Sequence, residues 1–323
     1  MHRSLAAATL LAALALPAAP PAPAAEAKLE LKVKAEKEEV KLGDAIRLQV
    51  KLTSRSAKAL AVGKLRIGAP HGLVFYVKGK DRPPRQVSRL WGRFQGNDFK
   101  ESPAERVPLK KGETLEETVD LLGIVQGEME IRAVYLGGDK AAAPDPVEAK
   151  AVKVTVGPGP NGETRVGARV KTEKGAMTFE LLPEKAYNSV HNFLLLAREG
   201  FYKDRVFHRI MKDFMVQTGC PKGNGTGGPG YYLPAEFNDL KHEKGVLSLA
   251  REQHDNTAGS QFFIMTAANK GLDGRYSGFG RIVEGMEILD WLAATPVKAA
   301  AGGEASDPLA KPKLLDVEPV LLK

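Results

Sequence analysis

Two glutamines stand where β-strands would ordinarily carry apolar side chains. In Phe214-Met215-Val216-Gln217 and again in Gln261-Phe262-Phe263-Ile264, a side-chain period of two puts Met215 on the face of Gln217, and Gln261 on the face of Phe263. A buried amide needs hydrogen-bond partners, so Gln217 and Gln261 read as the polar edge of a groove. Upstream, Arg209 offers a planar, permanently charged fork of N–H donors. Taken alone, it reads as a surface arginine pairing with Asp213 or a nearby glutamate. Nucleophilic and metal chemistry have little to work with. Ser260 lies in Ala-Gly-Ser-Gln-Phe, which is not a nucleophile elbow. The six histidines lack ligand spacing, so no metal site is expected. The glycine-rich run from Gly223 lacks the Gly-Lys-Ser/Thr ending of a phosphate cradle. Cys220 is the only cysteine, which excludes an intramolecular disulfide and suits a small buried hydrophobe.

The elements that position these residues follow from periodicity. From residue 28 to 156, short alternating runs begin at Leu29, Ala45, Leu73, Glu116, Met129 and Ala151, separated by turn residues. They predict an antiparallel β-sandwich of about seven or eight strands. Its opening phrase, Lys41-Leu42-Gly43-Asp44 before a strand, resembles bacterial immunoglobulin-like modules. Gly157-Pro158-Gly159-Pro160-Asn161-Gly162 can sustain neither helix nor strand and predicts a linker, with two halves that behave independently. Beyond it, Val190, Phe193, Leu194 and Ala197 fall at helical spacing, with Asn188 as the expected cap and Gly200 as the stop. A second helix is predicted from about Gly285 to Ala293.

Three blocks carry a resemblance. The run Phe201–Gly219, the run from Gly245 through Gln261-Phe262-Phe263, and the run from Leu272 through Gly280 are similar, in order and spacing, to the cyclophilin-type peptidyl-prolyl cis-trans isomerases over roughly residues 165–320. The resemblance implies a mainly β chain: the sandwich, then a closed eight-stranded antiparallel barrel capped by two helices. It implies an isomerase that rotates X-Pro peptide bonds without any cofactor. By the same resemblance Arg209 is the catalytic arginine, acting with Phe214, Gln217 and Gln261. Met215, Phe263 and Leu272 complete the proline pocket and Tyr276 stands at the usual histidine position. Ala250 and Arg251 supply the strand whose backbone holds the residue before proline, a role indifferent to the Arg251 side chain. Gly271 replaces a tryptophan frequent in eukaryotic members and should leave that wall open, and Tyr187 replaces a frequent proline and should matter little. The rival reading is a proline-peptide-binding or chaperone module with weak catalysis, in which the sandwich carries the biological role.

The 323-residue chain carries a net charge of +8, and the excess is uneven. Residues 28–162 hold 25 Lys and Arg against 18 Asp and Glu, whereas residues 163–323 hold 21 against 20. The basic excess includes the stretch from Lys78 to Phe94, with Trp91 within it. This stretch suits a solvated loop, or contact with an anionic surface or an unknown protein. At the start, Arg3, the apolar run Leu5–Leu16 and small residues around residue 25 read as a cleaved signal peptide, too short to span a bilayer. The expected organisation is a signal peptide (1–25), an accessory sandwich (26–157), a linker (158–162) and an isomerase domain (163–323). The protein would be periplasmic or secreted, acting on proline-containing polypeptides, without nucleic acid or stable membrane insertion.

Overall fold

Strict alternation in the first half becomes hydrogen-bonded strands. The computed structural model describes residues 29–65, 67, 72–80, 82–90, 92–95, 98–101, 106–137, 146–300 and 302–323. The expected signal peptide, residues 1–25, and Trp91 lie outside the described residues. Strand β3 (Ala45–Ser54) pairs antiparallel with β1 (Leu29–Ala35) and with β10 (Thr114–Leu122). Its residues Leu48, Val50 and Leu52 are fully buried. On its other face, Arg47 pairs with Asp120, and Lys51 with Glu116.

A second sheet is ordered β2-β13-β11-β5-β6. It comprises β2 (Glu39–Lys41), β5 (Leu73–Gly79), β6 (Arg85–Val87), β11 (Gly127–Tyr135) and β13 (Val152–Gly157), with β12 (Val147–Glu148) added to β11. Two further pairs are β4 (Leu60–Gly63) with β9 (Arg106–Leu109), and β7 (Gly92–Gln95) with β8 (Asp98–Glu101). All six runs read from the sequence are strands here. The extra ones are two to four residues long, too short for alternation to register.

The second half builds one sheet of nine strands, ordered β16-β24-β14-β15-β21-β19-β20-β18-β17, where eight were expected. These are β14 (Arg165–Thr172), β15 (Gly175–Leu181), β16 (Arg205–Val206), β17 (Arg209–Met211) and β18 (Met215–Thr218). They are joined by β19 (Val246–Leu249), β20 (Phe262–Met265), β21 (Gly278–Glu284) and β24 (Lys313–Leu322). The hairpin β22 (Val297–Ala299) and β23 (Ala305–Pro308) stands beside β17. Two helices accompany the sheet, α1 (Tyr187–Arg198) and α2 (Met286–Ala293). Phe193 of α1 packs at 5.2 Å between ring centroids on each of Tyr202, Phe262 and Phe279, all fully buried. Burying each such ring contributes roughly 1.5–3 kcal/mol.

Helix α1 departs from its predicted one-sided stripe. Nearly every residue from Tyr187 to Ala197 is buried, because α1 packs against β24 on one side and β6 and β10 on the other. A helix buried all round lies within a core rather than over one. Its cap is also not Asn188. The helix starts one residue earlier, and Glu236, from a distant loop, accepts from the Asn188 and Ser189 N–H groups at 3.0 and 2.7 Å. The Asn188 side chain instead donates to the Ser88 carbonyl at 2.9 Å. Tyr187, expected to matter little, is buried and donates to the Leu122 carbonyl at 3.2 Å.

The glycine-proline turn is likewise no free tether. Gly159 N–H donates to the Glu163 carbonyl at 2.9 Å, Gln126 donates to the same carbonyl at 3.1 Å, and the Glu163 carboxylate accepts from Asn161. A single apolar cluster continues through the buried residues of both halves.

Candidate active site

Strand register assembles the predicted site. Arg209 on β17 lies opposite Gln217 on β18, which lies opposite Phe263 on β20, which lies opposite Ser248 on β19. The alternate residues Ile210, Val216, Ile264 and Leu247 are fully buried in the main core. The period of two therefore sends Arg209, Gln217 and Phe263 to the other face.

That face carries a second, smaller apolar cluster, separate from the main core. Met215, Phe263, Val246 and Met265 are its buried members, and Phe214, Leu272, Tyr276 and Ala250 pack against it half-buried. Phe263 meets the Tyr276 ring edge-on at 5.7 Å between centroids. An aromatic-lined, partly open pocket beside polar groups suits a small apolar ring. Sequence reasoning placed all of these together except Val246 and Met265, which lie one strand over or two residues along.

The glutamines find the partners their burial demands. Gln217 Nε2 donates to Gln261 Oε1 at 3.0 Å, and Gln261 Nε2 donates to the Gly225 and Gly227 carbonyls, each at 2.8 Å. This ties the groove edge to the glycine-rich loop. A cleft of about 490 Å³ continues from there, sharing Gln217, Ala250, Arg251 and Gln261 with the groove and lined beyond by Tyr231 and the glycine loop. Gly219 makes the close approach possible: its φ is +84°, and a Cβ there would lie 2.4 Å from the Ser260 carbonyl oxygen. Cys220 beside it is fully buried, as expected. Burial pushes its thiol up, but N–H groups of Asn224, Gly227, Lys222 and Gly225 outweigh that and hold it below its ordinary value.

Arg209 does not pair with Asp213. Its Nη2 and Nε donate to Glu304 Oε2 at 2.8 and 3.2 Å, and Nη2 also contacts Met211 Sδ at 3.2 Å. The hydrogen bond from Arg209 holds the Glu304 carboxyl below the ordinary carboxylate range. Arg251 has more than a backbone role. Its guanidinium lies 4.6 Å over the Tyr276 ring and donates to the carbonyls of Glu252, Gln253 and Arg275. Behind Phe263, buried His242 stacks at 6.2 Å. Its Nδ1 faces Asp273 Oδ1 at 3.3 Å and its Nε2 faces Ser248 Oγ at 3.2 Å. Burial holds the His242 ring below its ordinary pKa despite the carboxylate. Glu304, Tyr231 and His242 were not read from the sequence, since only folding brings them to the groove. No group of three or more metal-ligating side chains occurs among the described residues.

The model of the family "Cyclophilin type peptidyl-prolyl cis-trans isomerase/CLD" matches residues 168–318. A peptidyl-prolyl cis-trans isomerase of Synechococcus elongatus is 46% identical over 114 residues, covering 35% of this chain and 78% of that protein. Peptidyl-prolyl cis-trans isomerase B of Bacillus subtilis is 48% identical over 112 residues, covering 34% of this chain and 78% of its own length. A Helicobacter pylori isomerase is 44% identical over 127 residues, covering 38% and 77%.

Proposed function

The chain belongs to the cyclophilin-type peptidyl-prolyl cis-trans isomerases and catalyses their reaction, and from that premise we propose how its own residues act and where. An X-Pro amide resists rotation by about 18–20 kcal/mol because the nitrogen lone pair is delocalised into the carbonyl. Twisting the bond localises that lone pair on nitrogen and makes it a hydrogen-bond acceptor. A donor fixed to meet the twisted amide lowers the barrier, and each 1.4 kcal/mol or so of selective stabilisation is about tenfold in rate. Neither a nucleophile nor a proton acceptor is required.

Arg209 supplies that donor, and Glu304 holds the guanidinium in place. The proline ring enters the apolar pocket of Phe214, Met215, Phe263, Leu272 and Tyr276. Gln217 and Gln261 bind the polar backbone at the edge, and the Ala250–Arg251 strand aligns the residue before proline. The observation that carries this reading is the in-register row Arg209–Gln217–Phe263 bordering an apolar cluster set apart from the main core. Substrates are polypeptides presenting X-Pro bonds.

We read the two N-terminal sheets as the layers of a sandwich over 26–157, and the nine-strand sheet as a barrel closed around Phe193 within 163–323. We place the protein outside the cytoplasm, on the leader of residues 1–25. Edman sequencing of the exported product should begin near residue 26, and an intact Met1 terminus would refute export. For catalysis, Arg209→Ala should lower kcat/KM about a hundredfold or more in a protease-coupled assay on an Ala-Pro peptide. The circular dichroism spectrum should be unchanged, because Arg209 is half-exposed. Full activity, or an unfolded variant, would refute its role.

A further inference from the structure

The glycine-rich side of the groove is not held by the isomerase half alone. Leu90, just past β6, forms an antiparallel bridge with Tyr232: Leu90 N–H donates to the Tyr232 carbonyl at 2.7 Å, and Tyr232 N–H to the Leu90 carbonyl at 2.8 Å. One residue along, Leu233 N–H donates to the Ala258 carbonyl at 2.8 Å. The short run Tyr231–Leu233 is thus laced between the N-terminal half and the segment that leads into Gln261. Tyr231 is clamped from two sides. The Arg89 guanidinium lies 4.3 Å over its ring, and its hydroxyl donates to Asn192 Oδ1 at 2.6 Å. Asn192 in turn donates to the Gly259 carbonyl at 3.2 Å. Tyr231, Tyr232, Gly259 and Ser260 all line the cleft that runs on from Ala250 and Arg251.

We propose that the N-terminal half is part of the substrate site: Arg89 and Leu90 are positioning residues that fix the Tyr231–Leu233 wall and so determine which side chains upstream of the proline the cleft accepts. The proposal rests on the reading above, in which Ala250 and Arg251 align the residue before proline. Because that strand borders the cleft, the side chain two positions before proline faces the Tyr231 wall. Neither Arg89 nor Leu90 borders the proline pocket, so the twisting step itself is untouched. A cation over an aromatic ring and a two-bond backbone bridge are local constraints whose loss lets the wall shift by a side-chain width. The isomerase half therefore gains its upstream selectivity only with the N-terminal half docked.

The test uses the full chain and four peptides, Xaa-Ala-Pro-Phe with Xaa as Gly, Ala, Leu or Phe. The variants are Arg89→Ala, Arg89→Lys and Leu90→Pro, the last removing the N–H that meets Tyr232. Expected for Arg89→Ala and Leu90→Pro is a KM changed about fivefold or more for Leu and Phe, with kcat unchanged and the Gly peptide within about twofold. Arg89→Lys should restore much of the discrimination, because it keeps the cation over the ring. Arg89→Ala alters one half-exposed side chain and decides the question even if Leu90→Pro fails to fold. Loss spread equally over all four peptides, or no change in KM for any, overturns the proposal. An unmodified protein that isomerises none of them would instead overturn the catalytic reading beneath it.

Discussion

Glu304, at the tip of the β22–β23 hairpin, grips Arg209 through two hydrogen bonds to one carboxylate oxygen, at 2.8 and 3.2 Å. The pair is part-exposed, with side-chain accessibilities of 35% and 42%, so it contributes at most about 1 kcal/mol to stability. Its consequence lies in orientation. Binding Nε and Nη2 fixes the plane of the guanidinium and leaves its remaining N–H groups for a substrate. Glu304→Ala should change the urea midpoint little, yet lower kcat/KM about two- to tenfold by loosening the donor. Since Arg209 holds the Glu304 carboxyl low, the bridge is present above the usual carboxylate range and is lost as pH falls through the depressed value. The wild-type pH profile should therefore lose an acid limb in Glu304→Ala; superimposable profiles would disprove the orienting role.

Glu236 does for helix α1 what no residue of the helix itself does. Its carboxylate receives the N–H groups of Asn188 and Ser189 and the Ser189 hydroxyl, the last at 2.7 Å. These are orphan donors at the positive end of a helix. Burial raises the Glu236 pKa, against those hydrogen bonds. Glu236→Ala should cost about 1–3 kcal/mol, read as a lowered midpoint in urea. Glu236→Gln should cost less because it keeps an acceptor. A midpoint unchanged in both variants would mean that water caps the helix equally well.

What was legible in the sequence followed from local periodicity. The groove strands were readable because Met215 and Gln217, and Gln261 and Phe263, alternate with residues that enter the core. What escaped was set by distance along the chain. Glu304 lies 95 residues from Arg209, Glu236 lies 47 from Ser189, and Ser88 lies 100 from Asn188, so no spacing rule links them. The Asn188 cap failed for a related reason. Local grammar favours Asn at a helix start, but tertiary partners took both its side chain and its N–H. The turn at 158–162 carries neither helix nor strand, as its composition suggests, but glycine and proline report local conformation only and say nothing of whether the flanking surfaces meet.

Acid should destabilise the protein through its histidines. Burial, reinforced by the charges of Arg89 and Arg198, pushes the His191 pKa down to about 3, and burial pushes that of His208 down to about 4. In the unfolded chain both titrate near the ordinary value of about 6.5. Below that pH the unfolded state binds more protons, so stability is full above about 6.5 and falls as pH drops toward the folded values. Each histidine adds up to about 1.4 kcal/mol per pH unit of slope within its window. His191 Nε2 is buried with no hydrogen-bond partner among the described residues, so His191→Leu removes a titration without orphaning a donor. Urea midpoints at pH 5 and 7 should lie closer together in that variant by about one proton's worth of slope. An identical gap would show that His191 ionises freely in the folded protein.

Removing the N-terminal half should weaken what remains. A fragment beginning at residue 163 keeps every residue of the groove and its pocket, and the turn composition at 158–162 argues that it could stand alone. The interface argues otherwise. Tyr187 and His191, 2% and 1% exposed in the whole chain, would lose part of their cover. The Tyr187 hydroxyl would lose the Leu122 carbonyl, Asn188 the Ser88 carbonyl, and Arg198 the Gly43 carbonyl. Water replaces those acceptors at little cost, since an intramolecular hydrogen bond is worth only about 1 kcal/mol net. It cannot replace apolar burial, which contributes about 25 cal/mol per Å². The fragment should thus unfold at a lower urea concentration than the full chain, and bind a dye specific for exposed apolar surface. In the full chain, Tyr187→Phe should cost only about 1 kcal/mol, because the ring stays buried and one hydrogen bond is lost. Chemical denaturation of the three proteins side by side decides it. A fragment as stable as the full chain would mean that the halves touch without supporting one another, and that the glycine-proline turn is the boundary its composition suggests.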